Sequence, residues 1–168
     1  MLIYHPAFDA SHCSFRILKL FNILNENKYI EEERIKIIDF YIVFPKKIKF
    51  IRFPKEIKAK YIRKALDSIN DSYRPCKNHF LMAKKMSFIQ EKVLQSLVIN
   101  EYLNKREGSN EYKRGEKFSQ LALSTPILDT YINHEVEVLI FDFLLNCELN
   151  GKDGLKDRTT LMEFRYDK

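Results

Sequence analysis

Between Glu31 and Pro45 the chain reads EEERIKIIDFYIVFP, and this stretch constrains the fold more than any other. Glu31, Glu32 and Glu33 put negative charge at the positive end of a helix, so a helix is predicted to start near Glu31. Pro45 disfavours helical geometry in the residue before it, so the helix must stop by Phe44. Ile35, Ile37, Ile38, Phe40, Tyr41, Ile42, Val43 and Phe44 then cover nearly the whole circumference. A helix that is apolar all round is either buried by its own chain or covered by a partner.

The remaining elements follow from local pattern. Asp9 can cap a helix running to about Asn25, with Phe15, Leu18, Phe21 and Leu24 on a broad apolar face. PKKIKFIRFPKEIK, between two prolines, reads as extended or irregular chain, and KEIKAKYIRKALDSIND reads as helix. HFLMAKKMSFIQEKVLQSLVINEYLN is predicted to form two helices meeting near Ser87, because Ser87-x-x-Gln90 fits a capping box. Phe88, Val93, Leu94, Leu97 and Val98 would then point inward. Next, two short polar strands carrying Tyr102, Leu103 and Tyr112 flank a GSN turn, and a helix followed by such a hairpin is winged-helix-like. The last helix is expected to be capped at Thr125, to have Pro126 at its first position and to end at Gly151, with Ile132, Val136, Leu139, Ile140, Phe143 and Leu144 on its core stripe. The tail shows no strong period.

The expected fold is therefore mainly α, a compact helical domain with a small β-hairpin. At 168 residues it is predicted to be one domain over 1–168. Its parts are an N-terminal helical pair (1–45), a basic connector (46–64), helices plus hairpin (65–120), and a long helix with a charged tail (121–168). Cys13, Cys76 and Cys147 are odd in number and far apart, which fits reduced thiols in a cytoplasmic protein. The start shows no secretory signal, and VLIFDFLLN is too short to span a bilayer.

Charge is unevenly spread. Lys46, Lys47, Lys49, Arg52, Lys55, Lys58, Lys60, Arg63 and Lys64 share their stretch with one acid, Glu56, so it carries +8 of a net +6. These nine are the candidate nucleic-acid contacts, since a groove that neutralises phosphates gains affinity by releasing counterions. Phe50, Phe53 and Tyr61 are available to stack on bases or to anchor the strip in the core. The competing reading is a solvated basic face with its apolar residues turned inward.

Catalytic patterns are sparse. His5, His12, His79 and His134 lack metal-ligand spacing, and neither a nucleophile elbow nor a phosphate-binding loop occurs. No cofactor or metal is expected. Asp39 with Glu56-Ile57-Lys58 has the outline of a metal-dependent nuclease core, in which two carboxylates hold the ion and the lysine steadies the water. That chemistry needs both carboxylates on adjacent strands, whereas Asp39 lies in a helical pattern.

Three stretches, YHPAFDASHCSFR (4–16), RIKIIDFYIVFP (34–45) and GLKDRTTLMEFRYD (154–167), together resemble the middle component of bacterial ABC-three-component systems, the group that includes Lamassu-type anti-phage and anti-plasmid defence. Thr160 stands where the resemblance implies a glycine. It implies a non-catalytic adaptor between an SMC-like ATPase and an effector nuclease, with double-stranded DNA a further candidate partner and no membrane contact. Tyr4, His5, Phe8, Asp9, Arg158, Arg165 and Tyr166 are the candidate partner surface. Two alternatives stay open: a stand-alone winged-helix DNA-binding regulator, and the nuclease using Asp39, Glu56 and Lys58.

Overall fold

The computed structural model describes residues 5–69, 77–121, 123 and 134–163. The protein is mainly helical with a small antiparallel sheet. Its backbone clusters into two compact units, one of residues 1–40 and 85–127 and the other of 41–84 and 128–168.

In the first unit, Pro6 opens a short 3-10 turn (Pro6–Phe8), and the Asp9 carboxylate then accepts the His12 N–H at 2.8 Å to start helix α1 (Ala10–Asn22). That cap satisfies one of the four orphan amides at the helix start. α1 buries Cys13, Ile17, Leu18, Leu20 and Phe21. Its C-terminal carbonyls are met from across the unit: Arg114 donates to the oxygens of Phe21, Asn22 and Leu24 at 2.7–2.9 Å. A cation at that end also suits the helix dipole.

Strand β1 (Ile30–Glu31) leads directly into α2 (Glu32–Val43). Every residue of α2 from Arg34 to Tyr41 is buried, so the chain itself covers its apolar circumference. Among these residues is Asp39, only 1% exposed. Arg16 grips its carboxylate with two nitrogens, at 2.6 and 3.2 Å, and Gln90 donates to it at 2.8 Å. The Cys13 thiol lies 3.9 Å from the same oxygen. Burial, reinforced by the nearby Asp39 charge, pushes that thiol's pKa far up and keeps it protonated. Arg16 also donates to the Pro6 carbonyl at 3.1 Å, which ties in the N-terminal turn.

Residues 79–99 form one continuous helix, α4 (His79–Ile99), the fourth in chain order after α3 (Ala59–Asp67). The expected break at Ser87 is absent. Asn78 caps the start by accepting the Leu81 N–H at 3.0 Å, while Ser87 donates to Glu91 one turn on and Gln90 is drawn to Asp39. Val93, Leu94 and Leu97 face inward as expected, but Phe88 does not. The hairpin β2 (Leu103–Lys105) and β3 (Glu111–Arg114) forms as predicted, with β1 added to give the order β1-β3-β2. Gly115 is required after β3, because a Cβ there would lie 2.3 Å from the Glu101 carbonyl oxygen.

In the second unit the segment after Pro45 is a 3-10 turn (Pro45–Phe50), where extended or irregular chain was expected. Its Ile48 and the following Ile51 are fully buried. α3 packs on this turn through Ile62 and Leu66. α5 (His134–Asn146) buries Val136, Ile140, Phe143 and Leu144, and Phe53 lies against Phe143 with ring centroids 5.0 Å apart. The Thr125 cap, Pro126 and Ile132 lie outside the described residues. The patternless tail contains a short helix, α6 (Leu155–Thr159), which ends at Thr160 with φ +54°. That left-handed conformation is where glycine is favoured.

Two consequences are measurable. Arg16→Met should cost about 3–5 kcal/mol in urea denaturation, because it strands a buried carboxylate, and the double variant Arg16→Met/Asp39→Leu should recover much of that loss. Thr160→Gly should raise stability by about 1 kcal/mol, since a β-branched residue is replaced at a left-handed position. An unchanged or lowered denaturation midpoint for Thr160→Gly would show that the His79–Thr160 side-chain contact at 3.3 Å outweighs the backbone strain.

Candidate functional site

The basic strip spans the 3-10 turn, the loop after it and α3, all in the second unit. Its apolar members point inward (Ile48, Ile51, Ile62, Leu66), which leaves the charged ones at the surface. Lys46, Lys47 and Lys49 are half-buried, whereas Arg52, Lys55, Lys58, Lys60, Arg63 and Lys64 are exposed. The aromatics divide. Phe53 is an anchor in the core, as described above. Phe50 is 60% exposed, with the ammonium groups of Lys47 and Lys49 5.4 and 5.3 Å from its ring centroid. Tyr61 is exposed on α3.

The strip's two arginines are held by the main chain. Arg63 donates to the Lys49 carbonyl at 3.3 Å. Arg52 reaches both the backbone oxygen and the carboxylate of Asp157. In return, Arg158 donates to the Arg52 carbonyl at 2.6 Å, and the Arg52 N–H donates to the Arg158 carbonyl at 3.1 Å. Two residues assigned to different surfaces, Arg52 to nucleic acid and Arg158 to a partner, thus form one clasp between the strip and α6. The Asp153 backbone N–H and the Arg52 guanidinium hold the Asp157 carboxyl below the usual carboxylate range. Lys55, Lys58, Lys60 and Lys64 form no ion pair with any described residue.

The other predicted partner residues have local roles. His5 caps the N-terminal 3-10 turn through Nδ1, which accepts the Ala7 N–H at 3.2 Å, and Asp9 caps α1. Phe8 is exposed, with its ring centroid 5.3 Å from that of His5. Tyr4, Arg165 and Tyr166 lie outside the described residues. Asp39 is engaged by Arg16 and Gln90 inside the core, and Glu56 and Lys58 sit at the surface. Among the described residues, no cluster of three His, Cys, Asp or Glu side chains is arranged to hold a metal ion.

A surface not anticipated from the sequence lies on α4. Phe88 is 64% and Ile99 80% exposed, with Lys92 and Gln95 exposed between them and Lys85 exposed one turn before. The spacing 85-88-92-95-99 was a visible signal, but Phe88 was assigned to the inward face and the other four to no face.

The described surfaces are thus a lysine strip in the second unit and, in the first, a helix side with Phe88 and Ile99 exposed. The comparison with protein families gives the class. Residues 2–167 match the model of the ABC-three component (ABC-3C) system Middle Component 5. This defines the protein as a middle component of an ABC-three-component system, and within that class the chain belongs to the Middle Component 5 family. No curated protein and no solved structure matches it. No helix among the described residues is long and apolar enough to cross a membrane.

The clasp gives a test that separates structure from binding. Arg52→Ala should lower stability by about 0.5–1 kcal/mol, through lost charge-assisted hydrogen bonds at a partly exposed site. Lys60→Ala should stay within about 0.5 kcal/mol of the parent protein. Equal denaturation midpoints for the two variants would contradict the division.

Proposed function

We propose that this protein is a non-catalytic adaptor that joins an SMC-like ATPase to an effector nuclease in a Lamassu-type defence complex. On this reading its lysine strip contacts duplex DNA directly. The observation that carries the reading is the match over residues 2–167 to a middle component of a three-component system. Asp39 supports the non-catalytic part, because its carboxylate is enclosed by Arg16 and Gln90 and so is not presented to a metal or a substrate. The connectivity of the first unit supports a winged-helix-like element: α1, β1, α2, then α4 followed at once by the β2–β3 hairpin, with β1 paired to β3. The exposed, unpaired lysines of the strip support phosphate contact, because they are free to replace counterions.

Co-expression with the products of the neighbouring reading frames should yield a complex containing the ATPase and the effector. Duplex binding by that complex should weaken steeply with salt. Substituting Lys55, Lys60 and Lys64 together by alanine should reduce the slope of log affinity against log salt by about 3. A chain that purifies alone beside both partners would sink the adaptor reading. A slope unchanged in the triple variant would sink direct DNA contact and leave the adaptor standing.

A further inference from the structure

From the outer face of α4 we infer that Lys85, Phe88, Lys92, Gln95 and Ile99 form a docking seam for an acidic amphipathic helix of another component. The inference rests on the adaptor reading and gives it a surface. The five residues recur at intervals of three and four, which keeps them on one side of a helix, and they span about 21 Å at 1.5 Å per residue. All five are exposed, and the inner side of the same segment is filled by Met86, Gln90, Val93, Leu94 and Leu97. The segment therefore has an apolar inner face that its own unit uses and a mixed outer side on which Phe88 and Ile99 stand exposed among Lys85, Lys92 and Gln95.

Large apolar side chains at 64% and 80% exposure, repeated along a helix, mark an interaction surface more than scattered surface chemistry does. Phe88 and Ile99 stand eleven residues, about 16 Å, apart on this side, so each offers an anchor to a separate turn of an incoming helix. Charge selects the occupant. Lys85 and Lys92 alternate with the apolar residues, and the Lys92 ammonium lies 5.8 Å from the Phe88 ring centroid. The one acid of the segment, Glu91, is paired with Lys36 at 2.7 Å and accepts from Ser87 at 3.0 Å, so its charge is shared with a cation outside the seam and leaves the two seam lysines in excess. The hydrogen bond from Lys36, with smaller contributions from Ser87 and the Lys92 charge, holds the Glu91 carboxyl below the usual carboxylate range, which keeps it ionised. A partner helix with acids flanking an apolar stripe complements this face. A second copy of the chain does not, because in register-matched pairing, parallel or antiparallel, Lys92 meets Lys92. Duplex DNA would meet the two lysines and leave Phe88 and Ile99 without an apolar partner.

The test uses the full chain co-expressed with the neighbouring gene products. Phe88→Glu, and separately Lys85→Glu/Lys92→Glu, should each cut recovery of one partner at least about tenfold, as loss of a central anchor or of its matching charge does. The thermal midpoint and duplex-DNA affinity of both variants should match those of the parent, since neither alters a buried side chain or the lysine strip. Partner recovery at parental level in both variants overturns the seam while the adaptor reading stands. A parent chain that captures no partner overturns both. Loss of DNA affinity with partners retained assigns the face to nucleic acid and overturns the inference. So does a parental homodimer in sedimentation velocity that Phe88→Glu dissolves.

Discussion

Asp39 is a carboxylate on a helix that the protein encloses on every side. Taking that charge out of water costs several kcal/mol before any partner is counted. It is tolerated because its partners arrive from two other helices: Arg16 with two nitrogens from α1, and Gln90 from α4. Cys13, held protonated by burial and by the Asp39 charge, adds a weak donor from α1. Successive residues of an α-helix are offset by about 100°. A one-residue slip of α1 or α4 against α2 would therefore leave the carboxylate buried and unpaired. The cluster thus fixes the rotation of three helices at once, a specificity that apolar packing alone supplies less sharply. Arg16 extends the constraint to the first turn through the Pro6 carbonyl, which places His5 and Phe8.

What could be read from the sequence divides along the same line. The enclosure of α2, the Asp9 cap and the hairpin each follow from neighbours within a few residues, and each was legible. Fold class and family were legible too, the latter because its motifs lie at both ends of the chain. Ser87-x-x-Gln90 misled for a physical reason. It has the composition of a helix start, but Gln90 is claimed by Asp39, fifty-one residues away, and the helix runs straight through. Strand β1 has two residues and no period, and it exists only because β3 offers a partner to Ile30 and Glu31. The exposure of Phe88 likewise depends on which face of α4 the core takes. Gln90, Val93 and Leu94 settle that through contacts no local pattern records. Thr160 is the opposite case: the glycine that the resemblance implied there coincides with the left-handed backbone that the structure shows.

The basic strip was legible as charge and not as chemistry. Composition counts arginines and lysines alike, but the fold separates them. Each described arginine of the second unit donates to main-chain carbonyls: Arg52 to Asp157, Arg63 to Lys49, and Arg158 to Arg52 and Asp153. A planar fork with fixed donors suits that role, because it meets several oxygens for little loss of side-chain freedom. The lysines keep the surface. An ammonium on a flexible stem neutralises a phosphate as a point charge, whereas reading a guanine edge calls for a bidentate fork. On the proposed reading, with its arginines committed to the backbone, the strip would hold nucleic acid without reading its sequence. The adaptor proposed above has that requirement, because foreign DNA has no fixed sequence to recognise. Sequence-independent, salt-sensitive contact is therefore what this division of labour between arginine and lysine can deliver.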